Sequence, residues 1–134
     1  MRWSLSLAAI LLSGCATIEP TGDKVLSVVE VVERHHELDG QAIRVRGYLS
    51  LCERMSCWLT PRRSKNSEPY LSIGSSQSFD SSIQNLIGQE IVVEATLDAD
   101  CLHIQVDPPR PDGTMIVCTD RASVLEDPIF IKAL

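Results

Sequence analysis

The sequence predicts a mainly β domain with two short helices, and three observations support this prediction. Residues 43–51 and 91–97 alternate apolar and polar side chains with a period of two, the pattern of half-buried strands. Residues 27–38 and 79–87 instead carry apolar side chains at helical spacing. The chain has 134 residues, a length that suits one small domain.

The first helix is predicted from its N-terminal signal. Ser27 and Glu30 form a capping box, in which each side chain accepts a hydrogen bond from the backbone N–H of the other. Residues 25–32 are rich in valine, a mediocre helix former, so a strand is the competing interpretation there. The capping box favours a helix that ends near Leu38, followed by a turn at residues 39–40.

The first strand is predicted to cover residues 43–51. Gly47 falls on its apolar face, where a missing side chain permits a bulge or a sharp bend. Cys52 and Cys57 flank residues 53–56, and if these form a hairpin loop the two cysteines stand opposite one another and can bridge, with residues 58–60 as the returning second strand. The residues expected on the buried face are Ile43, Val45, Leu49 and Leu51.

The middle of the chain predicts two more strands with a helix between them. Residues 70–73 form a short strand with Leu71 and Ile73 inward, and residues 91–97 form a longer one. Between them, residues 79–87 form a helix capped at Ser78 or Asp80 and ended by Gly88. The apolar residues that define its buried face are Phe79, Ile83, Leu86 and Ile87.

The end of the chain predicts a second cysteine hairpin and an extended closing segment. If Cys101 opposes Cys118, then Leu102 opposes Val117 and Ile104 opposes Met115, so the apolar pattern and the cysteines agree on one register. Residues 122–131 then run extended and are interrupted at Asp127-Pro128.

The N-terminus carries an export pattern. Arg2 precedes a short apolar run, and small residues then lead into Leu12-Ser13-Gly14-Cys15. This stretch resembles the signal of bacterial lipoproteins, and the alternative is an ordinary secretory peptide with a chance cysteine. The resemblance implies cleavage before Cys15 and lipidation of its sulfur. Residues 1–14 are then the signal peptide, 15–23 the lipidated tether and 24–134 the domain.

The same resemblance also predicts the cellular location of the protein. Ala16 stands where an aspartate would indicate inner-membrane retention, which favours a lipid-anchored protein of the outer membrane that faces the periplasm. The other four cysteines then lie in an oxidising compartment, which favours two disulfides, Cys52–Cys57 and Cys101–Cys118. A structural zinc site is the alternative, but the cysteine spacings match no strong zinc pattern.

The order of elements resembles that of small exported oligonucleotide/oligosaccharide-binding (OB) domains. The turn at residues 39–40 leads into a curved strand over residues 43–49, and the helix at 79–87 follows the third strand, where an OB barrel places its helix. The resemblance spans residues 27–125. It implies a small five-stranded OB-like Greek-key barrel.

Composition and motifs narrow the function. With 12 basic and 18 acidic residues, a net charge of −6, the chain lacks the basic surface of nucleic-acid binders. It shows no nucleophile elbow and no phosphate-binding loop, and oxidised cysteines have no thiolate. We therefore expect a non-catalytic binding or scaffolding module for an envelope component, without a cofactor and without a metal.

Two alternatives remain open at this point. The first is a metal-binding or enzymatic periplasmic protein that uses His35, His36 and His103. The second is an OB domain that binds oligonucleotides or oligosaccharides. The expected partners are the membrane, through the lipid, and an envelope protein or a saccharide.

A possible binding surface is predicted from exposed polar and aromatic positions. Tyr48 points outward on the first strand, whereas Trp58 is expected in the core beside Leu51. Basic residues of two loops complete the surface, which in full comprises Tyr48, Arg62, Arg63, Lys65 and Arg110.

Overall fold

A computed structural model describes residues 23–53, 56–64, 67–102, 112 and 123–134. In these residues the longest α-helix has seven residues, and no helix is long and apolar enough to cross a membrane. The helices and strands, in chain order, are β1 Val25–Ser27, α1 Val28–Glu33, α2 His35–Leu38, β2 Ala42–Glu53, β3 Ser56–Thr60, β4 Leu71–Ile73, α3 Gln77–Ile83, β5 Glu90–Leu97 and β6 Leu125–Ala133.

Five of the strands close into a barrel in the order β2-β3-β4-β6-β5. Antiparallel pairing of β5 with β2 closes it, from Ala42 opposite Thr96 to Tyr48 opposite Glu90. The parallel neighbours β4 and β6 pair through Ile73 and Leu125. The strand order and the helix after the third barrel strand confirm the predicted mainly β fold with a small OB-like Greek-key barrel.

The interior of the barrel is aliphatic, as the period-two pattern predicted. From Ile43 to Leu49 of β2 and along β5 every second residue is buried, and the intervening side chains are mostly partly exposed; the side chain of Leu51, which was also expected inside, lies outside the described part of the structure. Val92 is the exception, since it is only 2% exposed although it faces away from the interior. The residues of these two strands that are confirmed inside are Ile43, Val45, Leu49, Ile91, Val93, Ala95 and Leu97.

The first predicted helix is divided into α1 and α2 at Arg34. The capping box is present: the Glu30 N–H donates to Ser27 Oγ over 3.2 Å, and the Ser27 N–H donates to a Glu30 carboxylate oxygen over 2.8 Å. The bond from the Ser27 N–H to the carboxylate is the largest of the contacts that lower the pKa of Glu30. A valine-rich sequence loses side-chain freedom in a helix, which favours a short α1.

The competing strand interpretation is also correct over a short stretch. Residues Val25–Ser27 form β1, which runs parallel to β2 with Leu26 opposite Val45. The chain therefore changes from strand to helix at the capping residue itself. The predicted number of two short helices becomes three short α-helices, because α1 and α2 replace the first one.

Gly47 allows the close approach of neighbouring elements. The pairing of β2 with β5 runs through Gly47 without a bulge, so of the two alternatives that the sequence permitted, a bulge or a sharp bend, the bulge is not there. A Cβ at this position would lie 2.9 Å from Val28 Cγ2 and 3.0 Å from the Thr60 carbonyl oxygen. The absence of a side chain lets α1 and β3 pack directly on β2.

The first cysteine hairpin is confirmed and is tighter than predicted. Cys52 and Cys57 form a disulfide with a Cα–Cα distance of 4.1 Å. Glu53 pairs with Ser56, which leaves only residues 54 and 55 between the paired positions. A bulge between Ser50 and Glu53 shifts the register of β2, and Cys52 packs against the core.

Helix α3 begins earlier and ends earlier than predicted. Its N-cap is Ser76, whose Oγ accepts from the Phe79 N–H over 3.2 Å, so the predicted caps at Ser78 and Asp80 are wrong. Phe79 and Ile83 are buried, but the helix ends at Ile83. Gly88 (φ +85°) therefore lies in a turn before β5 and does not end the helix.

The closing segment forms β6, and its predicted interruption is present. Asp127 adopts φ +48°, and the pairing with β5 shifts between Glu94 and Thr96. Cys101 ends a 3₁₀ helix, Ala99–Cys101, that follows β5. The predicted Cys101–Cys118 bridge and its hairpin register lie outside the described residues, because residues 103–111 and 113–122 are not among them.

Candidate functional site

A groove of about 400 Å³ lies on the outside of the barrel, beside the middle of β2. Tyr48 and Ser50 alternate with buried Leu49, so their side chains point out of the barrel toward it. We call it the Arg63 groove, and its lining comprises Tyr48, Leu49, Ser50, Cys52, Arg63, Ser64, Ile87 and Gly88.

One side of the Arg63 groove is the loop that leaves β3. The Thr60 hydroxyl is buried and lies 2.8 Å from the Arg62 carbonyl and 3.3 Å from the Tyr48 carbonyl. The Ser64 N–H also donates to the Arg62 carbonyl, over 2.8 Å. These bonds attach the loop to β2 and place the exposed Arg63 side chain over the groove.

The opposite side is the turn before β5. The Gly88 N–H donates to the Leu49 carbonyl over 2.7 Å, and the Leu49 N–H donates to the Gln89 carbonyl over 2.9 Å. These two bonds join the turn to β2 beyond the last ladder pair, Tyr48 opposite Glu90, and Ile87 in the turn is 56% exposed. The sequence prediction put Ile87 on the buried face of a helix, which is wrong because α3 ends at Ile83.

The floor of the groove contains an unusual polar atom. The Ser50 Oγ is buried and has no hydrogen-bond partner among the residues that the structure describes. Cys52, the partly exposed half of the disulfide, also lines the groove. The lining as a whole is mostly apolar.

An aromatic pair lies next to the groove on the same outer face. Trp58 alternates with buried Cys57 and Leu59, so it points outward and is only partly buried. It stacks on Tyr70 with the ring centroids 4.7 Å apart and an interplanar angle of 23°. The prediction that Trp58 lies in the core is therefore wrong.

The reason for that error is the register of β3. Trp58 pairs opposite Ser50 of β2 and Ser72 of β4, two outward-facing positions. The bulge after Ser50 turns Cys52 inward, so Cys57 and not Trp58 takes the core position. No pattern in the sequence reveals a bulge at this place.

The histidines of α2 make local contacts. His35 Nδ1 lies 2.7 Å from the Val32 carbonyl oxygen, and the rings of His35 and His36 have centroids 3.8 Å apart. Within the described ranges, no three His, Cys, Asp or Glu side chains are grouped so as to hold a metal ion. His103 lies outside those ranges.

The predicted binding surface is brought together in part. Tyr48 and Arg63 line the same groove on the outside of β2, so these two predicted residues belong to one surface. Arg62 is exposed but does not line the groove. Lys65 and Arg110 lie outside the described residues. Ser50, Ser64 and Ile87 were not predicted, because nothing short of the tertiary fold brings their segments together.

The fold defines a small OB-like barrel with a surface groove and an adjacent aromatic pair. A scan against family profiles, a search of curated proteins and a search of solved structures found no match for this chain.

Proposed function

We propose that this protein is a lipoprotein anchored by Cys15 in the outer membrane, and that its periplasmic barrel is a non-catalytic binding module for a saccharide-bearing envelope component. The anchor is supported by the resemblance of residues 12–15 to a lipoprotein signal. Several acyl chains on one N-terminus suffice for stable attachment to a bilayer.

The observation that carries the binding role is the stacked pair Trp58–Tyr70. These rings stand on β3 and at the start of β4, the second and third strands of the barrel. OB barrels bind oligosaccharides and oligonucleotides on that face, and aromatic rings stack on the rings of the ligand. The net charge of −6 opposes a polyanionic nucleic acid and leaves a saccharide as the favoured ligand.

Crosslinking in cells tests this role. A photoreactive amino acid in place of Tyr70 should capture an envelope glycan or a protein that carries one. The same amino acid in place of Lys132, which is exposed on β6 opposite β5, is the control position. Trp58→Ala should abolish capture from position 70, whereas Trp58→Phe, which keeps an aromatic ring, should retain it.

Two results would contradict the binding role. One is the same set of captured molecules from positions 70 and 132. The other is undiminished capture in the Trp58→Ala variant. The anchor is tested separately: Cys15→Ser should move the protein from the membrane pellet to the soluble fraction, and retention in the pellet would show that the lipid assignment is wrong.

A further inference from the structure

The charge of the Arg63 groove differs from that of the whole protein. The chain has an excess of acidic residues, with 18 against 12 basic ones. Among the side chains that the structure describes, no aspartate or glutamate lines the groove, and Arg63 is the one basic residue there. A mostly apolar groove whose described lining contains one cation is complementary to a ligand that has an apolar body and a negative charge.

The guanidinium of Arg63 is placed to meet such a charge. A Cβ at Gly88 would lie 3.8 Å from both Nε and Nη2 of Arg63, so the guanidinium lies across this turn, beside the exposed Ile87. Arg34 and Arg44 each pair with a carboxylate. Within the described residues, Arg63 has no such ion pair, and its donors are available to a ligand.

The dimensions of the groove limit the size of the ligand. Its volume of about 400 Å³ is near the lower end of the range for small-molecule sites, roughly 300–1,000 Å³. In a regular strand, residues 48–52 would extend for roughly 13 Å, at about 3.3 Å per residue, and the bulge after Ser50 shortens that length. One extended alkyl chain fits this length, whereas a lipid with several chains exceeds the volume.

We propose that the Arg63 groove binds a single-chain carboxylate amphiphile of the fatty-acid type. Its alkyl chain lies along Tyr48 and Cys52 under Ile87, and its carboxylate pairs with the Arg63 guanidinium. Arginine presents two parallel N–H donors that match the two oxygens of a carboxylate. A singly charged head matches one arginine better than a doubly charged phosphate monoester does.

This ligand is independent of the saccharide-binding role. The groove lies on β2 and the loops after β3 and before β5, whereas the aromatic pair belongs to β3 and β4. The photolabelling experiment measures only the probe that becomes attached to residues of the groove. A Trp58→Ala variant that loses glycan capture should still bind the amphiphile, so the two proposals can fail separately.

Photolabelling of the full-length protein in isolated membranes tests the proposal. The probe is a ten-carbon carboxylic acid with a diazirine in its chain, and the labelled positions are mapped by mass spectrometry. We expect label on the peptides that contain residues 48–52 and 87, protection by unlabelled decanoate, and little protection by decanol. Label spread evenly over the surface, or equal protection by decanol, would overturn the proposal.

Two neighbouring arginines provide a matched pair of variants. Arg63→Ala should weaken protection by decanoate about tenfold, the size expected for loss of one charge-assisted pair. Arg62→Ala, an exposed neighbour that does not line the groove, should leave it unchanged. Equal protection in wild type and Arg63→Ala would refute the proposed head-group contact.

A third variant tests the alkyl contact. Ile87→Asp adds a carboxylate at a position that is already 56% exposed, so the fold should tolerate it, and it should abolish labelling of the groove. Unchanged labelling in this variant would contradict the proposal. If a co-purifying protein, and not decanoate, shields these peptides, the groove is a protein contact and the proposal is wrong.

Discussion

Replacing Gly47 with alanine should destabilise the barrel by about 1–3 kcal/mol, the usual cost of forcing extra carbon into a packed core. The added Cβ would lie 2.9 Å from Val28 Cγ2 and 3.0 Å from the Thr60 carbonyl oxygen. Carbon atoms in contact prefer about 3.5–4.0 Å, so α1 would have to move by roughly 0.6 Å. The Thr60 oxygen belongs to the backbone and yields less easily than a side chain.

The assay is equilibrium urea unfolding with the disulfide intact, read by circular dichroism. The two changes Gly47→Ala and Val28→Ala are made singly and together, because Val28→Ala removes the nearest atom. The double variant should be more stable than the sum of the single effects predicts, by about 1 kcal/mol. Val28→Ala relieves only part of the stability loss caused by Gly47→Ala, because the added Cβ still meets the Thr60 carbonyl oxygen.

Gly40→Ala is the matched control for this prediction. Gly40 has φ +73°, but a Cβ there would meet nothing within 4 Å. Alanine at this position costs about 1–2 kcal/mol through backbone strain alone, and Val28→Ala should not relieve that cost. The packing argument is refuted if Gly47→Ala unfolds at the wild-type urea concentration, or if its effect and that of Val28→Ala simply add.

Three further predictions concern local structure. Ser27→Ala removes the helix cap and should lower the free energy of unfolding by about 1 kcal/mol, measured in urea, with Ser27→Thr as the conservative control. Because the pKa of Glu30 is lowered in the folded state, its contribution is fully present above the ordinary value of 4.5 and is lost as the pH falls through the folded pKa. The Ser27 N–H that donates to the carboxylate survives in Ser27→Ala, so the pH test uses Glu30→Gln: urea titrations from pH 7 to pH 3 should show a smaller acid loss in this variant, and an identical pH dependence would show that Glu30 is not the cause. Replacing both Cys52 and Cys57 with alanine should cost about 2 kcal/mol by the loop-entropy estimate for a separation of 5, and an unchanged melting temperature would contradict this.

Short-range patterns predicted much of the fold. The alternation along β2 and β5 identified the buried face, since a strand exposes one side to the core whatever its partners are. The capping box at Ser27 and the hairpin disulfide at Cys52 were also predictable, because each depends on residues within five positions of one another.

Predictions failed at the helix ends and where the outcome depends on long-range packing. The helix that begins at the capping box is divided at Arg34, and α3 ends at Ile83, although the apolar spacing continues to Ile87 in the sequence. Gly47 was correctly identified from the sequence as a special position of the strand. A glycine is required there because Val28 and Thr60 approach it closely, which no local pattern contains.

The sequence by itself therefore determined the class of fold, the inward faces of β2 and β5, and the positions at which an export signal and a disulfide are expected. Only the tertiary structure decided that Tyr48, Arg63 and Ile87, from three separate segments, line one groove, and that Trp58 stacks on Tyr70 outside the barrel. The physical reason is that side-chain periodicity follows from the local backbone, whereas a groove requires strand register, a bulge and loop attachment, which depend on residues far apart in the chain.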